Sequence, residues 1–233
     1  MIVAKYRKSE LISNYTILTI LALTCILPIM LLFFNSIKPQ EEFGINPLGF
    51  PITIRFANFV DAWFIGEYAQ IFLNSTKLVI GTLILNLTVS GLAGFSLAKL
   101  YPRGSNAFLV YLLVGVSIPA QMFILPLFLM WKELNLMNTH LGLIIIYAGL
   151  NAPFATFLIR SYMIQLPDEL FDAAKIDGAN TLQLFYRIAL PISWPVFLTT
   201  GLVVGLAVWN EFLFALTFVH DDAKKPIATI LFA

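Results

Sequence analysis

The sequence predicts an all-helical protein that crosses a membrane several times. Hydrophobic residues make up 59% of its 233 residues, whereas only 12% are charged. Its mean hydropathy of +0.86 is typical of integral membrane proteins. Uncharged runs long enough to cross a bilayer as helices alternate with shorter segments that hold most of the charges. The net charge of +1 gives no reason to expect a nucleic-acid partner.

Five apolar segments are predicted to be membrane-spanning helices. The first, residues 11–37, is uncharged and follows Lys5, Arg7 and Lys8. At about 1.5 Å per residue it exceeds the roughly 30 Å thickness of a bilayer core. Because its apolar region is too long for a signal peptide, we expect an uncleaved span with the N-terminus inside. The other predicted spans are residues 72–100, 105–131, 139–163 and 192–219.

Prolines and glycines within these spans are expected to shape the helices. Pro119 and Pro126 fall inside residues 105–131, where each is expected to kink the span. Gly201 and Gly205 form a G-x-x-x-G pattern, which allows two helices to approach closely in lipid. We therefore expect a helical bundle in which the third span is kinked and the fifth span packs closely against a neighbouring helix.

The long connection between the first two spans, residues 38–71, holds three prolines and several charges. It is therefore expected to lie in water. Trp63, Phe64 and Tyr68 are residue types that favour the membrane–water interface. Glu211, near the predicted outer end of the last span, is also expected to be simply solvated.

The densest charge in the chain lies between the fourth and fifth predicted spans, in residues 167–195. A charged segment of this kind cannot lie in hydrocarbon, so we expect it in water. Pro167 suits a first helical turn, and the carboxylates of Asp168 and Glu169 favour the positive end of a helix dipole. Gly178 follows at a position where a helix end favours a residue that tolerates a left-handed conformation.

A second short helix is predicted after Gly178. Asn180 can cap its first turn, and Gln183, three residues later, completes a capping-box pair. Leu190 and Pro191 are expected to end this helix. The local pattern thus predicts two short helices joined at a glycine.

The segment resembles the cytoplasmic EAA loop of bacterial ABC-importer permeases. That family has an acidic residue, two alanines, a glycine four residues later, and Leu-Pro after the second helix. The matching positions are Asp172, Ala173, Ala174, Gly178, Leu190 and Pro191. Asp172 stands where the family usually has Glu, which shortens the acidic arm by one methylene. The longer run DAAKIDGA resembles the carbohydrate-uptake branch, the relatives of the smaller maltose-permease subunit.

The resemblance implies a polytopic helical permease domain over residues 1–233, in which a loop of about residues 164–191 couples to a separate ABC ATPase. The coupling positions would be Asp172, Ala173, Ala174, Asp177, Gly178, Leu190 and Pro191. No cofactor is expected on this chain, because ATP and Mg²⁺ would be held by the ATPase. The family has a sixth span, so five spans are expected here with the last helix missing.

The resemblance further implies a second related permease subunit, an extracytoplasmic solute-binding protein and a sugar or oligosaccharide as solute. The expected location is the bacterial inner membrane, surrounded by lipid, with the N-terminus and the coupling loop in the cytoplasm. The charges agree in sign, since eight Lys and Arg residues fall in predicted inner segments and five in outer ones.

Polar side chains inside predicted spans are candidates for a translocation path, because such groups are unfavourable in lipid when unpaired. A sugar needs hydrogen-bond partners for its hydroxyl groups and aromatic faces, which amides with Tyr147, Trp131 or Trp209 would supply. The candidates are Asn86, Gln121, Tyr147, Asn151 and Asn210. For each one singly, hydrogen bonding between helices is an interpretation of equal weight.

Two other classes of protein are alternatives. A membrane-embedded transferase would hold magnesium between carboxylates, but the pair Asp221 and Asp222 lacks a third acid at D-D-x-x-D spacing. A structural membrane subunit would leave the pattern around Gly178 unexplained. The sequence has no G-x-x-x-x-G-K-[ST] phosphate loop, no H-E-x-x-H and only one cysteine, Cys25, so no metal site is expected.

Overall fold

The computed structural model describes residues 8–232, which form helices and connections without a β-strand. The contacts divide the chain into two compact units, and the division falls after Tyr68. The basic residues Lys5 and Arg7, on which the predicted N-terminal orientation partly rests, lie outside the described residues. The prediction of one domain over residues 1–233 stays a prediction.

The first unit contains one long helix and two short ones. Helix α1, Lys8–Ser36, confirms the first predicted span. Helices α2, Gln40–Ile45, and α3, Ala57–Ile65, lie in the connection that follows. That connection was predicted to be solvated, yet its Lys38 is buried.

Two long helices, which lie almost entirely in the second unit, confirm the second and fourth predicted spans. Helix α4, Tyr68–Phe95, starts four residues before the predicted boundary and continues through a π-helical turn at Ser96–Leu100. Helix α7, His140–Met163, begins where Thr139 accepts a hydrogen bond from the N–H of Gly142. That cap satisfies a donor that would otherwise be unpaired at the helix start.

The third predicted span is two helices rather than one kinked helix. Helix α5, Ser105–Ser117, and helix α6, Ile124–Glu133, flank a 3₁₀ turn at Ala120–Phe123, and the two halves are bent by 96°. The bend falls at Pro119, because a proline disfavours the helical conformation at the residue before it, and Ile118 is extended with a ψ of 126°. Pro126 lies in the first turn of α6, where its missing N–H removes no helical hydrogen bond, so the kink predicted there was wrong.

The charged segment forms three helical pieces. These are α8, Asp168–Ile176, then α9, Thr181–Leu184, and α10, Leu190–Ile192, the last two joined by a π-helical turn at Phe185–Ala189. The π turn bonds the N–H of Leu190 to Phe185 O. The helix ends at Ile192, one residue after the predicted end at Leu190 and Pro191.

The fifth predicted span is also interrupted. Helix α11, Trp194–Trp209, is bent by 78° from the helix before it and ends well short of residue 219. After a break comes α12, Leu213–Phe218. In the described residues, three helices are long and apolar enough to cross a membrane, or up to five if each bent pair is one span.

Glycines of α4 make the tight contacts between helices. A Cβ added at Gly81 would lie 2.5 Å from the side chain of Ile144, and one at Gly94 would lie 3.2 Å from the backbone N of Arg160. A Cβ at Gly201 would lie at an ordinary 3.5 Å from Leu87. The G-x-x-x-G pattern therefore faces α4 at ordinary contact distance, whereas Gly81 and Gly94 of α4 face α7 more tightly.

Candidate functional site

The segment between α7 and α11 has the predicted form of two short helices joined at a glycine. Gly178 has a φ of +82° at the end of α8. The N–H of Gly178 bonds to Lys175 O, and the N–H of Ala179 bonds to Ala174 O, which satisfies the last carbonyls of the helix. A residue with a Cβ would be strained in this conformation by about 1–2 kcal/mol.

The second helix starts with the predicted capping box. The side-chain oxygen of Asn180 accepts a hydrogen bond from the N–H of Gln183 at 2.9 Å. The side-chain oxygen of Gln183 accepts from the N–H of Asn180, also at 2.9 Å. These reciprocal bonds fix the direction in which the chain leaves Gly178.

The predicted coupling positions differ in exposure. Asp172, Ala173, Asp177, Gly178 and Pro191 are exposed, whereas Ala174 and Leu190 are partly buried. The partly buried pair packs against an apolar cluster. Contact of all seven positions with an ATPase stays a prediction. The Asp172 carboxylate, which replaces the usual Glu, pairs with Lys175 at 2.9 Å within α8.

Two exposed apolar residues of this segment were missed by the sequence analysis. Ile176, next to the glycine turn, is 87% exposed, and Leu182 of α9 is 61% exposed. Both follow directly from the helical spacing, because they lie on faces opposite to buried Phe171 and Leu184. The solvent-exposed surface around Gly178 is therefore partly apolar.

A lysine from α4 anchors the first of these helices. The Nζ atom of Lys99 donates hydrogen bonds to Asp168 Oδ1 and Leu166 O, each at 2.6 Å. It also lies 5.2 Å from the centre of the Phe171 ring. The Lys99 side chain is only 5% exposed, whereas that of Asp168 is 74% exposed. The sequence analysis used Lys99 only as a marker of sidedness and missed this contact.

Aromatic packing joins the same segment to the ends of the long helices. The Phe95 ring of α4 lies 6.1 Å from that of Phe171 and 5.5 Å from that of Phe185. At the end of α7, Arg160 Nε donates to Leu97 O at 3.3 Å. Helices α8 and α9 thus share one apolar core with the ends of α4 and α7.

Asn86, a predicted path residue, lies in a polar seam between α4 and α7. Its side-chain amide donates to Ala148 O at 2.9 Å, and the residue is only 1% exposed. Ser90, one turn later, donates to Ala152 O at 3.3 Å. This geometry is that of hydrogen bonding between helices, the second of the two interpretations given above.

Tyr147 lies in the apolar core and bonds to the break between α11 and α12. Its hydroxyl donates to Glu211 Oε2 at 2.8 Å. The same carboxylate accepts the N–H groups of Phe214 at 2.9 Å and Ala215 at 3.2 Å. The expectation that Glu211 is simply solvated was wrong, because it caps the first turn of α12 and binds a buried tyrosine.

The remaining path candidates lie in different places. The Asn151 amide donates to Tyr147 O within α7, and the exposed Asn210 amide donates to Leu206 O at the end of α11, each at 2.8 Å. Gln121 is exposed in the bend between α5 and α6, where it lines a cavity of about 860 Å³ with Trp131. Asn86 and Asn151 therefore both bond to one stretch of α7, and Tyr147 belongs to that stretch.

The segment after α12 is held by polar side chains of α4. The Asn74 amide donates to Ala223 O at 2.8 Å and to Lys225 O at 3.2 Å, and Ser75 Oγ accepts from the N–H of Ile227 at 2.7 Å. Asn74 is fully buried. The pattern of adjacent polar residues was visible in the sequence, but its partners, some 150 positions away, were not.

The aspartate pair considered for a transferase is engaged with lysines. Asp221 pairs with Lys224 at 3.1 Å and Asp222 with Lys225 at 2.6 Å. Hydrogen bonds from Lys224 and from the N–H of Ala223 lower the pKa of Asp221. Among the described residues, no group of three or more His, Cys, Asp or Glu side chains is placed to hold a metal.

The fold and the loop define a class of helical membrane transport proteins, and comparison with known families identifies it. The family model described as "Binding-protein-dependent transport system inner membrane component" matches residues 90–230. The chain belongs to this family. It is thus a multi-pass inner-membrane transport component, as the resemblance implied, and the family is one of transport subunits rather than catalytic enzymes.

Several curated relatives cover most of the chain. A probable ABC transporter permease protein, YurM of Bacillus subtilis, is 32% identical over 200 residues, which are 86% of this chain and 66% of that protein. The diacetylchitobiose uptake system permease protein NgcG of Streptomyces coelicolor is 29% identical, over 91% of this chain and 70% of its own length. The arabinooligosaccharides transport system permease protein AraQ of Halalkalibacterium halodurans is 33% identical, over 91% and 78% respectively.

A solved structure supports the fold. One chain of a bacterial ABC transporter involved in the import of the acidic polysaccharide alginate matches with a TM-score of 0.82 and 24% identity. The match covers 97% of this chain and 80% of that chain. The helical membrane bundle predicted from the sequence is therefore confirmed.

Proposed function

We propose that this chain is the permease subunit of an importer for a sugar or oligosaccharide, and that the segment from α8 to α10 docks onto a separate ATPase. The observation that carries the proposal is the exposed glycine turn at Gly178. It projects from a core that α8 and α9 share with the ends of α4 and α7. A force applied at this turn would therefore move both long helices.

The partners follow from the same proposal. The docking segment lies in the cytoplasm, where the ATPase subunits bind ATP and Mg²⁺. A solute-binding protein delivers the cargo to the opposite side, and a second, related permease completes the pore. ATP binding would close the ATPase pair and move the docking helices as rigid bodies.

The proposed class of solute is inferred from the solutes for which related permeases are named. Those named for their solutes transport diacetylchitobiose, arabinooligosaccharides or sulfoquinovosyl glycerol. All three carry several hydroxyl groups, which suit amide and aromatic side chains. Gln121 is the strongest of the five path candidates, because it is exposed on a cavity. Asn86, Tyr147 and Asn151 would act on the path only after their present hydrogen bonds rearrange.

Two glycines provide a matched test of docking. Gly178 and Gly104 have φ angles of +82° and +89°, and an added Cβ would meet nothing within 4 Å at either position. Substitution by valine therefore strains both turns to a similar extent, but only Gly178 lies in the docking segment. Gly178→Val should abolish co-purification of the ATPase and solute-stimulated ATP hydrolysis, whereas Gly104→Val should retain both.

A second pair of variants avoids backbone strain. Ala173→Arg adds bulk to the exposed docking face and should also prevent ATPase binding. Asn106→Arg places the same charge at an exposed position in the first turn of α5, outside the coupling loop, and should leave binding unchanged. Normal ATPase coupling in both Gly178→Val and Ala173→Arg would refute the docking assignment.

A further inference from the structure

The connection between α1 and α4 buries a charged residue. Lys38 is 2% exposed. Its Nζ atom donates to Asn35 Oδ1 at 3.0 Å, to Asn46 O at 2.6 Å and to Gly49 O at 2.8 Å. All three acceptors are neutral carbonyl oxygens, two of them on the backbone of the loop after α2. The lysine therefore holds that loop from within.

Other polar side chains of the connection also turn toward its own backbone. The Glu42 carboxylate accepts the N–H groups of Ile52 at 2.6 Å and Thr53 at 3.0 Å, and these bonds lower its pKa. The Asn58 amide donates to Ser36 O at 3.0 Å and to Lys38 O at 2.7 Å. Backbone groups that water would otherwise satisfy are thus paired inside the connection.

Unlike Lys38, the large apolar side chains of the connection are exposed. Ile45, Leu48, Phe50 and Ile52 are each at least 74% exposed. A segment in water normally buries such residues and exposes its lysines. An apolar exterior around a buried ammonium group indicates surroundings that are themselves apolar.

We propose that this connection inserts its apolar side chains into the lipid at the membrane–water boundary, and that Lys38 holds it in the inserted form. Lipid offers no hydrogen bonds to the backbone, so every carbonyl and N–H near it needs a partner within the protein. Lys38 supplies donors for Asn46 O and Gly49 O, and Glu42 supplies acceptors for the N–H groups of Ile52 and Thr53. The connection, which the sequence predicted to be solvated, therefore lies at the membrane–water boundary.

Two contacts favour lipid over a protein partner as the surroundings. The Phe50 ring lies 5.1 Å from that of Phe34, near the end of α1, so the exposed surface of the loop continues that of the helix. Within its own unit, the apolar window of α1 is not buried. At the other end of the connection, the rings of Trp63 and Tyr68 are stacked 6.3 Å apart, and these residue types concentrate at membrane interfaces.

Spin-label accessibility tests the location without disturbing the buried groups. In a Cys25→Ser background, nitroxides are attached to Leu48→Cys or Ile52→Cys in the full chain, in vesicles of phosphatidylcholine and phosphatidylglycerol. Oxygen concentrates in lipid and a polar nickel complex in water. Both sites should be several-fold more accessible to oxygen, relative to nickel, than Asn135→Cys, an exposed site in another connection. They should resemble Leu18→Cys on the exposed face of α1.

The possible outcomes are distinct. High nickel accessibility at Leu48 and Ile52 would show that the connection is solvated and would overturn the proposal. Low accessibility to both reagents would show contact with protein and would overturn it equally. Neither result depends on transport, so both are separable from a failure of the proposed function.

The role of Lys38 has its own test. Lys38→Met should raise nickel accessibility at Leu48 several-fold, because the loop carbonyls would need water once the ammonium group is gone. Lys132→Met, at an exposed lysine, should leave the Leu48 signal unchanged. An unchanged signal in Lys38→Met would refute the role given to this lysine.

Discussion

The ammonium group of Lys99, at the end of α4, lies 2.6 Å from the carboxylate of Asp168, the first residue of α8. The pair joins residues 69 positions apart in the sequence. Because the Asp168 carboxylate is exposed, water screens its attraction to the lysine, and the Coulombic part of this ion pair contributes little to stability. Its structural effect is to fix the start of the proposed docking segment to a membrane-spanning helix.

Lys99→Met is expected to loosen this attachment. The variant keeps the aliphatic bulk but loses the hydrogen bonds to Asp168 and Leu166 O. A movement of α8 should therefore be transmitted to α4 less efficiently. Solute transported per ATP hydrolysed should fall several-fold while the ATPase still co-purifies. Asp168→Asn should have a smaller effect, since the bond to Leu166 O remains. Arg103→Met, at an exposed residue of the connection after α4, is the control.

The bond between Tyr147 and Glu211 is expected to stabilise the fold. Tyr147→Phe removes one hydrogen bond to a carboxylate and should lower the free energy of unfolding by about 1–3 kcal/mol. Glu211→Ala should be more harmful, because it also leaves the N–H groups of Phe214 and Ala215 without their acceptor. Thermal unfolding in detergent measures both. A Glu211→Ala protein as stable as the original chain would contradict the capping role.

Asn86 and Gln121 are expected to separate structural from path residues. Asn86→Val should lower thermal stability with little change in the KM for the transported solute, because its amide bonds to α7. Gln121→Ala should alter that KM and leave stability unchanged, since the side chain is exposed on a cavity. The reverse pattern would place Asn86, rather than Gln121, on the translocation path.

Two glycine-to-alanine substitutions compare a tightly packed position at the start of α7 with a loosely packed position in α11. A Cβ at Gly142 would lie 2.3 Å from Leu136 O, a backbone atom that cannot rotate away. Gly142→Ala should therefore destabilise the protein by about 1–3 kcal/mol, as overpacking does. Gly201→Ala meets Leu87 at an ordinary 3.5 Å and should be tolerated or mildly stabilising. Equal unfolding temperatures for the two variants would contradict this ranking.

Much of the architecture could be predicted because it depends on local properties of the chain. Three long apolar helices and the two short helices joined at Gly178 lie where hydropathy and capping residues placed them. The two predicted spans that failed break at Pro119 and at Asn210. Proline alone does not explain the difference, because Pro28 and Pro153 lie inside the unbroken helices α1 and α7. At Pro119 the sequence predicted a kink, but the 96° angle depends on what the two halves pack against.

Residue types and local spacing alone determined that this chain crosses a membrane and exposes a capped two-helix loop. The resemblance of that loop to a known family then placed the chain with the importer permeases. Only the tertiary structure decided which polar groups are paired. Lys99 meets Asp168 and Tyr147 meets Glu211 across 69 and 64 positions of sequence. Hydropathy and helix capping act over a few residues, whereas the partner of a buried charge depends on which helices pack together.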